Sequence, residues 1–194
     1  MNMRRLTVLA AFLLASCASR GERERAPLEA AVDIDLPRFM GTWHVIANVP
    51  YLFENGKVAT RDEYRLRPDG RIDNDFVFKK VFGEEDRRWR GVSRVIPGSG
   101  GARWKVQFVW PFASELAVVH VDDDYQGAAL TTPDRKLAWV FGREPTMDAA
   151  RYQSLVAMLS AQGVDVSALR AVPQVAPDPC VLRIDSSPVH WHPC

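Results

Sequence analysis

Cysteine is scarce in this chain: three in 194 residues, at Cys17, Cys180 and Cys194. So few exclude a small fold stapled by several disulfides. Long apolar runs are absent too. The run over residues 6–14 falls well short of the ~20 residues a spanning helix needs, and no later stretch approaches that length. Charge of one sign is also lacking. The 25 basic and 24 acidic residues balance to +1 and are interleaved, which excludes the basic footprint of a nucleic-acid binder. Histidine is limited to His44, His120, His190 and His192, and no serine sits in a Gly-x-Ser-x-Gly elbow. Catalysis therefore finds little support, and no resident cofactor is expected.

What is present begins with the leader. Arg4 and Arg5 precede the short apolar run, and Leu14-Ala15-Ser16-Cys17 follows it, the layout of an export signal. Those four residues resemble the lipobox of bacterial lipoproteins. The resemblance implies cleavage before Cys17, a diacylglycerol thioether on its sulfur and a further acyl chain, such as palmitate, on its amino group. Two or more chains, at ~0.8 kcal/mol per buried methylene, make a stable anchor where one is marginal. Ala18 at the next position, in place of Asp, resembles the sorting pattern of the outer membrane. The expected location is thus the outer membrane, lipid-anchored through Cys17 and facing the periplasm. An ordinary cleaved signal with a chance cysteine is the alternative.

With Cys17 taken by lipid, Cys180 and Cys194 remain as a pair in an oxidising compartment, where a disulfide is expected. Closing a loop of about 15 residues is worth ~3 kcal/mol in the chain-entropy model. Two alternatives compete with it: two free thiols, or a metal held by His190, His192 and the Cys194 thiolate. No metal is expected if the disulfide forms.

The mature chain divides by composition. Residues 1–16 are the signal, and 17–35, charged and poor in large apolar residues, form a lipidated tether. Residues 36–172 are the domain, and the Pro-rich stretch 173–194 is a tail. From residue 42 to 143 short runs of Val, Ile, Phe, Trp and Tyr alternate with turn residues. The expected strands are 42–49, 58–66, 71–80, 87–96, 103–110, 115–121, 125–131 and 136–143. Tight turns such as Pro68-Asp69-Gly70 and Thr132-Pro133-Asp134-Arg135 force antiparallel pairing. The fold class is therefore all-β: an eight-stranded antiparallel up-and-down barrel with one C-terminal helix packed on its wall. Thr146 is the expected N-cap of that helix, with Asp148 in its first turn. Tyr152, Leu155, Val156 and Leu159 form its apolar stripe, and Gly163 its stop.

Three motifs on this frame resemble the lipocalin family. Gly41-Thr42-Trp43 resembles its Gly-x-Trp signature, and Asp124-Tyr125 its second conserved region, with Asp123 where Thr is usual. Arg143 matches the third region. The stretches around Trp43 and Trp139 are most similar to the bacterial outer-membrane members. The resemblance implies that Gly41, Trp43, Asp124, Tyr125 and Arg143 determine the fold, with Arg143 laid over the Trp43 indole. It further implies binding, storage or transport of a fatty acid or lysophospholipid inside the barrel, in maintenance of the cell envelope.

The alternation itself supplies candidate cavity residues. Val45, Ala47 and Val49 share parity with Trp43; Asn74, Phe76 and Phe78 share one face; and Trp104, Phe108 and Trp110 share another. His120 shares parity with Leu116 and Val118 and is a candidate headgroup contact. The alternative is that these side chains simply fill the core, making the barrel a spacer and the tail a partner site. A lipid-modifying enzyme would need a polar cluster inside, with Glu63, Asn74 and His120 as its candidates. A homodimer is left open.

Overall fold

A computed structural model describes residues 27–31 and 33–176. A four-residue helix, α1 (Leu36–Phe39), precedes eight strands. These are β1 (Gly41–Asn48), β2 (Val58–Leu66), β3 (Arg71–Lys79), β4 (Arg87–Val95), β5 (Arg103–Val109), β6 (Phe112–Val121), β7 (Gly127–Thr131) and β8 (Ala138–Gly142). Helix α2 (Ala149–Ala161), a 3-10 turn (Val166–Ala168) and a short strand β9 (Arg170–Ala171) follow. Successive strands pair antiparallel, and β1 closes the circle by pairing with both β8 and β2. Closure removes the long exposed edges of an open sheet. The expected eight-stranded barrel is the fold.

The closure has a seam. β1 pairs with β2 from Gly41 to His44. Farther along, the chain that follows α2 fills the gap, with Ala171 and Arg170 opposite Ala47 and Asn48. Ala59 donates its N–H to the Pro173 carbonyl at 2.7 Å. The Gln174 side-chain amide donates to the carbonyls of Val45 (2.6 Å) and Thr60 (3.0 Å). Gln174, assigned to the tail by composition, is stitched into the barrel.

Apolar residues form two bodies, one inside the barrel and one under α2. The interior gathers Phe39, Trp43, Val45, Tyr64, Ile72, Trp104, Leu130 and Phe141. Leu155 and Leu159 of α2 are fully buried against Ala129, Ala138 and Val140 on the outer wall. The stripe on α2 thus packs as expected, and Gly163 ends the helix region at φ +79°. The N-cap is Asp148, whose side chain accepts from Arg151 N–H at 2.9 Å, and not Thr146. Both residue types cap well, and the helix takes the later one, adjacent to its first turn.

Two bulges correct the expected alternation. In β1 the register shifts between Val45 and Ala47, and in β6 between Val118 and His120. One extra residue sends every later side chain to the opposite face. Ala47 and Val49, expected inside, therefore lie in the outer cluster beneath α2. His120, expected beside Leu116 and Val118, pairs instead with Ala129 of the outer cluster and reaches Asp122 Oδ1 at 3.3 Å.

Candidate functional site

The two ends of the barrel differ. At one end the connections 67–70, 96–102 and 122–126 are tight, and α1 plugs the opening. Phe39 lies under Trp43 with ring centroids 4.9 Å apart, and Trp43 Nε1 donates to the Phe39 carbonyl at 2.8 Å. The Arg143 guanidinium covers the other side, 3.7 Å from the Trp43 ring centroid. It donates to the carbonyls of Thr42 (2.9 Å), Arg38 (2.7 Å) and Tyr125 (3.2 Å). A cation–π contact and three carbonyls account for arginine at this position. A Cβ at Gly41 (φ +96°) would sit 3.4 Å from Arg143 Nη1. Asp124 accepts from Gln126 N–H at 3.0 Å, and Tyr125 takes φ 58° in the same turn. These residues seal one end of the barrel.

The other end is open, framed by the loops 49–57, 80–86, 110–111 and 132–137. Here the first loop turns inward and sets Glu54 inside the mouth. Its carboxylate accepts from Trp139 Nε1 (3.0 and 3.2 Å), from the Tyr51 hydroxyl (3.2 Å) and from Asn48 Nδ2. Burial pushes the Glu54 carboxyl up, and its three donors only partly offset that. Deeper lies Asp62, between Trp43 on β1 and Phe76 on β3 in the strand register. Asp62 is 8% exposed, and burial, reinforced by the nearby charge of Glu54, holds its carboxyl well above the usual range.

Aromatic rings line the wall beside this pair. Phe76, Phe78 and Trp89 meet at centroid distances of 5.0–5.8 Å, and Phe53 leans on Trp89 at 6.2 Å. The Lys57 ammonium rests 4.9 Å from the ring centroids of both Phe78 and Trp89. A hollow of about 420 Å³ at this mouth is lined by Lys57, Phe78, Lys80, Arg87 and Trp89. A larger hollow, about 960 Å³, lies on the outer wall. Three of its four arginines are paired, Arg65 and Arg67 with Asp73 and Arg88 with Asp75 and Glu63, and Arg90 lines it as well. Such a solvated ionic face suits an apolar ligand poorly.

The candidate residues separate accordingly. Val45, Asn74, Phe76, Phe78 and Trp104 belong to the interior, where Asn74 Nδ2 donates to Ser93 Oγ at 3.2 Å. Phe108 is half-exposed, and Trp110 stands 82% exposed at the rim, beyond the interior expected for it. β5 parts from β4 past Gln107, so its last residues have no facing wall. Glu63 lies on the outer face with Arg61 and Arg88. Glu63, Asn74 and His120 are therefore not brought together, and the enzyme alternative loses its cluster. Among the described residues no group could hold a metal ion. Cys17, Cys180, Cys194, His190 and His192 lie outside the described residues.

The sequence alone did not single out Glu54, Asp62, Tyr51, Lys57, Trp89 or Trp139. Asp62 carried a signal, since it shares strand parity with Tyr64 and Thr60, both buried.

A closed eight-stranded barrel, plugged at one end and lined with aromatic rings at the other, defines a small-ligand-binding scaffold. Residues 34–174 match the model of the lipocalin-like domain. The chain belongs to the lipocalin family. It is 31% identical to temperature-induced lipocalin-1 of Arabidopsis thaliana over 87% of this chain and 95% of that one. It is also 31% identical to the outer membrane lipoprotein Blc of Escherichia coli K12, over 81% and 88% respectively. Among solved structures, lobster apocrustacyanin A1 superimposes with a TM-score of 0.60 at 15% identity, covering 80% of this chain and 94% of that one. Insecticyanin of Manduca sexta gives 0.58 at 20% identity, covering 75% and 83%. These two share the fold.

Proposed function

We propose that this lipocalin is an envelope protein held to the outer membrane by acylated Cys17, taking a single-chain amphiphile, a fatty acid or lysophospholipid, through its open end. The distribution of exposed apolar side chains carries this reading. Leu52 (85% exposed), Phe53, Val81, Trp110 (82%) and Phe112 (75%) all sit on or beside the open-end loops. Aromatic and aliphatic side chains ringed by Lys57, Lys80 and Arg87 are what a surface meeting lipid headgroups presents. Geometry supports the same orientation. Glu29 N–H donates to Gln162 Oε1, next to the open-end turn that holds Arg135. From there the chain passes Val118 and reaches Gly100 at the closed end. The tether thus joins the body on the open-end side, and the dozen residues back to Cys17 reach at most about 40 Å.

Uptake would be driven by burial of acyl surface at ~25 cal/mol per Å². Trp89 and Trp139 at the mouth make it observable. Titration with lysophospholipid is expected to shift or quench tryptophan emission saturably, and native mass spectrometry to show the bound lipid. A flat titration with every acyl ligand tried, and no co-purifying lipid, would overturn the reading and favour the spacer.

A further inference from the structure

We propose that the barrel interior selects an amphiphile whose polar end is a primary ammonium, received by Asp62 between Trp43 and Phe76. This rests on the single-chain reading above and narrows it. Asp62 is buried on the inner face, and it makes no hydrogen bond or ion pair with any described residue. One strand away, the fully buried Asn74 Oδ1 also lacks a donor. Glu54, closer to the mouth, already has its donors from Trp139, Tyr51 and Asn48. Among the unmet groups inside the barrel, Asp62 and Asn74 Oδ1 offer oxygens, and the Tyr64 and Thr60 hydroxyls on the same strand face as Asp62 can either donate or accept. The inner-face neighbours of Asp62 and Asn74, which are Trp43, Tyr64, Phe76 and Ser93, include no basic side chain.

A ligand that supplies N–H donors and positive charge suits the Asp62 carboxyl and the Asn74 oxygen; a carboxylate brings a like charge beside Asp62 and Glu54. Aromatic faces around an acid are also the surroundings in which an ammonium is held. The protein shows a related arrangement at its doorway, where the Lys57 ammonium lies on Phe78 and Trp89 within reach of the Glu54 charge. The mouth and the interior therefore differ in sign. Lys57, Lys80 and Arg87 line the rim hollow, so an anionic end gains there, and an ammonium gains below.

The test compares dodecylamine, dodecanol and dodecanoate below their micellar concentrations at neutral pH. The protein is the mature chain from residue 17 onward, carrying Cys17→Ser and made without the apolar leader, so that no detergent is needed. Tryptophan emission and calorimetry report binding. Dodecylamine is expected to bind at least about tenfold more tightly than dodecanoate. Asp62→Asn, nearly isosteric, should bring the two within about twofold and leave dodecanol unchanged, with a melting curve confirming its fold. Equal binding of all three chains, or a preference that survives Asp62→Asn, would overturn the ammonium site and leave the amphiphile reading standing. No saturable signal from any of the three would remove both.

Discussion

Asp62 is buried on the strand positions between Trp43 and Phe76, and the cost of its carboxyl depends on pH. Its folded pKa lies above its unfolded value because burial disfavours the anion. Native stability is therefore greatest, as far as this group is concerned, below the ordinary carboxylate range. It declines as pH rises through the folded value. Glu54 contributes in the same direction. Asp62→Asn removes the titration, so the variant should gain on the parent as pH rises from 4 to 8. The gain at the upper end comes from removing a buried charge, since the amide left in its place is still polar and buried. Urea melts at the two pH values check this, and an identical difference at both would refute it. Asp86 works oppositely: Arg61 and Lys79 hold it down to about 2, so its pairing persists until strongly acidic pH.

At the scale of elements, the packing of α2 on the barrel wall carries its own prediction. Leu155 is fully buried between the helix and the outer cluster of Ala129 and Val140. Leu155→Ala should cost about 2–5 kcal/mol, read as a lower urea midpoint with an unchanged slope. A loss below about 1 kcal/mol would mean the helix is loosely docked. The strands themselves were legible because each turn carries its own chemistry and each run its own parity. β2 begins and ends at the residues expected from sequence, Val58 and Leu66. The bulges were not legible. Nothing in Val45-Ile46-Ala47 or Val118-Val119-His120 distinguishes a bulge from a continued strand, since every residue there suits a pleat. One slip misplaced Ala47 and Val49, and the other misplaced His120. The closed-end signature was readable as three short motifs, Gly41-Thr42-Trp43, Asp124-Tyr125 and Arg143, that resemble the family's pattern in the same order. Glu54 was not, because an acid beside Asn55-Gly56 has the composition of a solvated loop and turns inward only where Trp139 and Asn48 await it.

For the whole molecule, the two ends of the barrel divide the work. The plugged end is tied by Arg143 to three carbonyls and by Trp43 to Phe39. The open end carries exposed apolar side chains, and Glu29 meets Gln162 on the same side. Replacing Trp110 and Phe112 by Ser should weaken sedimentation of the Cys17→Ser chain with anionic vesicles several-fold while leaving its melting temperature nearly unchanged. Unchanged vesicle binding would place the contact elsewhere on the surface.

The seam between β1 and β2 has a consequence for the order of assembly. Its hydrogen bonds come from Ala171, Pro173 and Gln174, which follow all eight strands in the chain. A polypeptide emerging from its N-terminus can pair each strand with the one before it. It can close the circle once β8 reaches β1, but it cannot fill the gap between β1 and β2 until the last of these residues has been released. Filling the gap is then a late, non-local step, with the loop entropy of nearly the whole domain set against it. Until it is reached, the backbone of Val45, Ala59 and Thr60 has no partner along the seam. The far half of β1 and the start of β2 keep an open edge until the residues after α2 arrive.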